Sequence, residues 1–218
     1  MVLPLFFASS SQICRVRSLP NLNRPLKNTV GCSVNFLRDP MRLILTTIIL
    51  TMLAQPVWSG NLVEIQLVDK LDEQRGFCID IRGHKERAKV NRGLQAHTCY
   101  SYQGQLGVDQ AFDEQLISRG KFYLPAFDVC MEAGGSVAGS RLNLEACNDT
   151  DEQRFVFTAN GQIKLISNNE LCLAIDASAS KQGGGGTPLH LLRSLSLTNC
   201  EKGRARYTTW RMVALPSN

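Results

Sequence analysis

Six cysteines past residue 60 carry the plainest chemistry in the chain: Cys78, Cys99, Cys130, Cys147, Cys172 and Cys200. A thiol can oxidise to a disulfide, ligate a metal or attack as a nucleophile, and spacing helps separate these fates. No Cys-x-x-Cys occurs, and His84, His97 and His190 are the only histidines. A zinc site is therefore disfavoured, and no metal or other cofactor is expected. An even number of cysteines behind a secretory leader reads as a disulfide framework. Six allow 15 pairings, and spacing favours neighbours: Cys78–Cys99, Cys130–Cys147 and Cys172–Cys200. Each would close a short loop worth about 3 kcal/mol. With those thiols paired, no Cys-His set remains and no Ser-His-Asp arrangement presents itself. Lys181-Gln182-Gly183-Gly184-Gly185-Gly186-Thr187 has a superficial likeness to a phosphate loop but lacks the Gly-Lys-Ser/Thr ending, so it reads as a flexible hairpin tip.

The leader is legible in the first sixty residues. Met41-Arg42 precedes an apolar stretch, Leu43 to Leu53, and then Ala54-Gln55-Pro56-Val57-Trp58-Ser59, with Val57 and Ser59 where a signal peptidase needs small residues. Residues 41–59 are read as a signal peptide. Residues 1–40 are read as an upstream segment, either ahead of the true start at Met41 or disordered, with a transit peptide and a signal-anchor as the alternatives. The apolar stretch is shorter than the roughly 18–20 residues of a spanning helix, so no stable membrane span is expected. The mature part, residues 60–218, is expected to be secreted.

Charge narrows the partners of that part. Of 24 basic and 19 acidic residues, six and one lie in the first sixty, which leaves 18 of each in the remainder. A domain with no cation excess has little with which to neutralise phosphates, so nucleic acid is not an expected partner. An apolar content of 44% with 20% charged residues suits a globular chain.

The cysteine loops superpose on one another as three repeats. Gly76-Phe77-Cys78-Ile79-Asp80, Leu94-Gln95-Ala96-His97-Thr98-Cys99 and Asp109-Gln110-Ala111-Phe112 form the first. Asp128-Val129-Cys130-Met131-Glu132, Leu142-Asn143-Leu144-Glu145-Ala146-Cys147 and Glu152-Gln153-Arg154-Phe155 form the second. Glu170-Leu171-Cys172-Leu173-Ala174, Leu195-Ser196-Leu197-Thr198-Asn199-Cys200 and Tyr207-Thr208-Thr209-Trp210 form the third. Apolar residues alternate over short runs, as at Leu142, Leu144 and Ala146, which predicts strands. Asn160-Gly161, between Phe155/Phe157 and Ile163/Leu165, predicts a two-residue hairpin turn. No sustained helical period appears past residue 60. The chain is all-β, built of three units that bury a core only together.

These residues resemble the ricin B-type β-trefoil lectin family over about residues 62–214. The family's Gln-x-Trp signature stands here as Gln110-x-Phe112, Gln153-x-Phe155 and, degraded, Thr208-x-Trp210. The resemblance implies a disulfide-stapled β-trefoil and a shallow sugar site built from a carboxylate, amides and an aromatic ring. A carboxylate accepts from two vicinal hydroxyls, an amide offers both a donor and an acceptor, and a flat ring covers the C–H face of the sugar.

Carried over residue by residue, the family pattern gives the first unit Asp80, Gln95, His97 as platform, Asp109 in place of the usual Asn, and Gln110 bonding to backbone or to Asp80. His97 is a smaller ring than Trp, so stacking is weaker. The second unit offers a weaker site, Glu132 and Asn143, with Glu145 at the platform position. The third, with Ala174 where the acid belongs and Asp176 two residues late, is read as core and scaffold. Phe112, Phe155 and Trp210 are read as core. A glycosidase needs two carboxylates flanking a cleft, which shallow trefoil sites do not provide, so no enzyme is expected. The expected function is a secreted, non-catalytic lectin domain recognising a terminal galactose-like sugar of glycans or glycoproteins. The alternative is a protein-interaction module, a toxin delivery subunit or hydrolase inhibitor, whose sugar sites have degenerated and whose partner is another protein.

Overall fold

The computed structural model describes residues 61–201 and 204–214. The upstream segment, the signal peptide and two further cysteines, Cys14 and Cys32, lie outside the described residues.

Twelve strands form three lobes of four. Lobe one holds β1 (Leu62–Leu67), β2 (Phe77–Ile81), β3 (Leu94–Thr98) and β4 (Phe112–Asp113). Lobe two holds β5 (Tyr123–Leu124), β6 (Val129–Ala133), β7 (Leu142–Glu145) and β8 (Phe155–Phe157). Lobe three holds β9 (Ile163–Leu165), β10 (Asn168–Ile175), β13 (Leu195–Asn199) and β14 (Trp210–Ala214). A further pair, β11 (Lys181–Gln182) and β12 (Leu191–Arg193), is inserted in the third lobe. The only α-helical turns among the described residues are α1 (Glu114–Ile117), capped by the Asp113 carboxylate on the Leu116 N–H, and α2 (Ala205–Thr208).

The repeats of the sequence become equivalent hairpins. β2 pairs with β3, β6 with β7 and β10 with β13, all antiparallel. Their registers place Asp80 opposite Gln95, Glu132 opposite Asn143 and Ala174 opposite Ser196. Each hairpin is stapled by its own disulfide, Cys78–Cys99, Cys130–Cys147 and Cys172–Cys200. Lobes join through β1 with β14 and β8 with β9. Apolar residues from all three lobes fill one core, in which Phe112, Phe155 and Trp210 are buried. Phe122 stands edge-on to both Phe112 and Phe155, at 6.4 and 5.8 Å between ring centres. The Trp210 indole donates to the Leu173 carbonyl at 3.0 Å, which fixes its orientation.

Two local expectations are corrected. The β8–β9 turn is longer than two residues. Phe157 pairs with Ile163, and the Gly161 N–H bonds to the Thr158 carbonyl at 2.9 Å. Gly161 has φ +83, and a Cβ there would sit 2.7 Å from the Trp210 carbonyl. Glycine is needed for that close approach as well as for the left-handed backbone. The third unit, moreover, is more than scaffold. Its glycine-rich insertion folds into β11 and β12, and β12 pairs with β3 of the first lobe, Leu192 opposite His97. The glycines stand at the tip of this hairpin, as expected, and the hairpin itself is anchored as a wall. Arg75 donates to the Pro188 and Leu189 carbonyls at 2.9 Å each, and the Leu191 N–H bonds to Thr98 at 2.8 Å.

Candidate functional site

The cross-strand pair Asp80 and Gln95 is the starting point. Directly opposed residues of an antiparallel pair share a face, so their side chains meet. Gln95 Nε2 donates to Asp80 Oδ1 at 2.8 Å. Gln110, brought in ahead of β4, donates to Asp80 Oδ2 at 3.0 Å and to the Thr98 carbonyl at 3.1 Å, while its own Oε1 accepts from the Tyr100 N–H at 3.1 Å. Gln110 thus bonds to backbone and to Asp80 together. Lobe two repeats the device: Gln153 donates to Glu132 and to the Ala146 carbonyl and accepts from the Asn148 N–H. In both lobes the glutamine clasps the residues on either side of the second cysteine. Thr208 takes that place in lobe three and bonds to Arg204 instead.

Asp80 lies below the surface, 1% exposed, with both oxygens engaged by side-chain amides. Burial, and then the neighbouring Asp109, push its carboxyl well above the usual range. Asp109 is also fully buried, and burial raises it as well. Its Oδ2 accepts the Lys85 N–H at 2.5 Å, and its Oδ1 is buried with no partner. The two carboxyls disfavour each other's charge, which adds to the effect of burial on Asp80. Asp109 therefore anchors the 82–93 loop from beneath and does not open onto the surface. His97 is 5% exposed. Its Nδ1 lies 2.8 Å from the Thr98 carbonyl, so that nitrogen carries the proton, and Nε2 is free of protein partners among the described residues. The ring packs edge-on to His190 at 4.9 Å. Burial lowers its pKa to about 4, which keeps the imidazole neutral at physiological pH.

Gln95 and His97 lie two apart on β3 and line a cleft of about 590 Å³. The Gln95 Oε1 has no protein partner among the described residues. One wall is the 82–93 loop of lobe one, with Arg82, His84, Arg87 and Arg92. The other is the lobe-three hairpin, with Gly184, Gly185 and Leu192. Gln95, Arg82 and Leu192 also border a smaller hollow of about 180 Å³ toward Asp176, Lys181 and Arg193. In lobe two Glu132 is half-buried, Asn143 and Glu145 are exposed, and Gln153 holds Glu132.

The structure therefore brings Asp80, Gln95, His97 and Gln110 into one connected group, sets Asp109 beneath the loop, and keeps Glu132 and Asn143 apart in another lobe. Sequence reasoning missed the two walls. The signal for the second was the Cys172–Cys200 separation of 28 residues, against 21 and 17 in the other lobes. Among the described residues one group has metal-ligand proximity, Glu64 with Cys78 and Cys99, but both sulfurs are in the disulfide and offer no thiolate.

Among solved structures, the earthworm R-type lectin C-half in complex with GalNAc is similar at 16% identity and TM-score 0.47, covering 71% of this chain and 98% of that one. The β-trefoil lectin of the Vibrio vulnificus hemolysin/cytolysin with N-acetyl-D-lactosamine bound has 13% identity and TM-score 0.44, over 73% and 98%. The agglutinin from Abrus precatorius has 14% identity and TM-score 0.43, over 71% and 47%. Similarity at this level does not say which ligand this chain takes. No curated protein matches the chain. The family model of the ricin-type β-trefoil lectin domain matches twice, over residues 68–183 and 118–214, the second match displaced by about one lobe as a threefold repeat allows. On that match the chain belongs to the ricin-type β-trefoil lectin domain family.

Proposed function

We propose that this domain is a carbohydrate-binding module without catalytic activity, which captures a terminal galactose-like sugar in the lobe-one cleft. The observation that carries the reading is the bracing of Gln95. Its amide is held by the buried Asp80, itself held by Gln110, while the amide oxygen stands free on the cleft floor. A fixed amide with one free acceptor and one spare N–H recognises a hydroxyl pattern at little entropic cost. Asp80 acts on the sugar through Gln95, and the neutral His97 ring, 5% exposed, offers a narrow edge beside it in place of an open stacking face. One open cleft of this kind binds weakly, with dissociation constants near millimolar, about −4 kcal/mol. Glu132 and Asn143 form at most a weaker second site, since no ring accompanies them. Three cystines favour an oxidising compartment, which supports secretion.

The test is calorimetric titration of galactose and lactose into wild type and Gln95→Ala. Gln95 is only half-buried, so the variant retains its fold, and its affinity falls at least tenfold. Equal affinity in the two proteins removes this mechanism. Absence of any glycan binding together with a co-purifying protein partner favours the interaction-module reading.

A further inference from the structure

The cleft carries a charge pattern that recognition of a neutral sugar does not require. Arg82, Arg87 and Arg92 line it together with His84, and no carboxylate does. All three arginines come from one short loop that leaves β2 at Arg82 and rejoins β3 at Gly93. Two 3-10 turns, Lys85–Arg87 and Val90–Arg92, shape it, and Lys85 is pinned by Asp109. Gly83 lets the loop double back, because a Cβ there would lie 2.6 Å from the Ala88 Cα.

These cations are not the local face of a basic protein. The mature part is balanced, with 18 basic and 18 acidic residues. Five cations elsewhere among the described residues are paired, Arg75 with Glu73, Lys121 with Asp149, Arg193 with Asp72, Arg204 with Glu201 and Arg206 with Asp69, while others, such as Arg119 and Lys164, stand alone. Among the described residues no carboxylate oxygen lies within 4 Å of Arg82, Arg87, Arg92 or the neighbouring Arg141. The one hydrogen bond from the half-buried Arg82 side chain goes to a neutral group, the Leu94 carbonyl, at 3.2 Å. Its guanidinium is disfavoured first by burial and then by Arg141 and Arg92. Asp80 and Asp109 are buried beneath the loop and do not line the cleft. Asp176, which borders the smaller hollow, is held by the Ser178 N–H at 2.7 Å and stands near Lys181 and Arg193. Like charges gathered on a cleft without counter-ions are costly unless a ligand supplies the opposite charge. The guanidinium fork suits a planar carboxylate or a sulfate.

We propose that the cleft takes an acidic saccharide, with the sugar ring on Gln95 and His97 and its carboxylate or sulfate against Arg82, Arg87 and Arg92. The proposal rests on the reading of this cleft as the sugar site and adds the class of sugar. Arg82 borders both hollows together with Gln95, which places it to meet the anion beside the sugar ring. Arg87 and Arg92, exposed on the rim, close around it.

The test titrates the intact chain with lactose, with lactose bearing a sialic acid, and with lactose bearing a sulfate ester. Wild type and the double variant Arg87→Ala/Arg92→Ala are compared at low and at physiological salt. At least one acidic form is expected to bind about tenfold or more tighter than lactose. The preference shrinks as salt rises and disappears in the double variant. The sialylated and sulfated arms separate carboxylate from sulfate as the source of the charge. If lactose binds and neither acidic form binds tighter, this inference falls while the lectin reading stands. If the preference survives in the double variant, the arginines are not its cause and the inference falls. If no saccharide binds, both readings fall together.

Discussion

At the scale of single residues, burial beneath the cleft disfavours the charged forms of His97, Asp80 and Asp109. Burial lowers the His97 pKa from 6.5 to about 4. The folded protein thus disfavours the imidazolium, and the unfolded chain takes up the proton first on acidification. The stability tied to neutral His97 is fully present above about pH 6.5 and is lost as pH falls toward about 4. The buried carboxyls Glu64, Asp80 and Asp109 act in the opposite sense. Their folded values are raised, mainly by burial, so their contribution is present in acid and is lost as pH rises through those values. A comparison of wild type with His97→Gln isolates the histidine. Across that window wild type is expected to lose up to about 3 kcal/mol relative to the variant. Urea unfolding over a pH series measures this, and the ring proton of His97 should show no titration midpoint near neutrality. A midpoint near 6.5 would mean that the ring is solvated and cannot serve as a neutral surface.

Among the elements, the inserted hairpin decides whether lobe one has a cleft or a flat sheet edge. β12 continues the lobe-one sheet, and contacts from lobe one hold the hairpin: two from Arg75, one from Thr98, one between the Tyr102 hydroxyl and His190 at 3.0 Å, the Ser180 hydroxyl on Asp72 at 2.8 Å, and the Asp72–Arg193 ion pair at 2.7 Å. Arg75 also satisfies Glu73, which is buried and accepts from Thr98 at 2.7 Å. Arg75→Ala removes both pins on residues 188–189 and leaves Glu73 without its guanidinium, at a cost of about 1–3 kcal/mol. Amide exchange at Gly183 and His190, whose N–H groups bond across the hairpin, is expected to accelerate by more than the global loss of stability explains. Glycan affinity should fall with it. Unchanged exchange would show that the β12 ladder and the contacts from Thr98, Asp72 and Tyr102 hold the wall without Arg75.

For the whole molecule, the three cystines set the margin. Each closes a loop of 17 to 28 residues, worth about 3 kcal/mol on chain-entropy grounds. A domain of this size has a stability of about 5–15 kcal/mol, so losing one bridge is survivable and losing all three is not. Replacing both cysteines of the Cys130–Cys147 pair by Ser should therefore leave a folded domain with a lower melting temperature. Full reduction should abolish the cooperative transition, as followed by circular dichroism on heating with and without reductant. A reduced chain that still melts cooperatively at the same temperature would place the stability in the core alone.

The sequence alone determined the three-lobed all-β architecture, the three pairings and the core aromatics, because each rests on local spacing repeated three times. Asp80 opposite Gln95 was equally legible, since two fixed cysteines set the register between them. What only the tertiary structure decided is depth and company. That Asp80 and Asp109 lie under the surface, that residues 181–193 leave their own lobe to wall another, and that Arg82, Arg87 and Arg92 share one cleft all depend on contacts between segments more than eighty residues apart or on loops that double back. The long Cys172–Cys200 separation marks that the third lobe carries an insertion, but no period or spacing says which lobe it packs against.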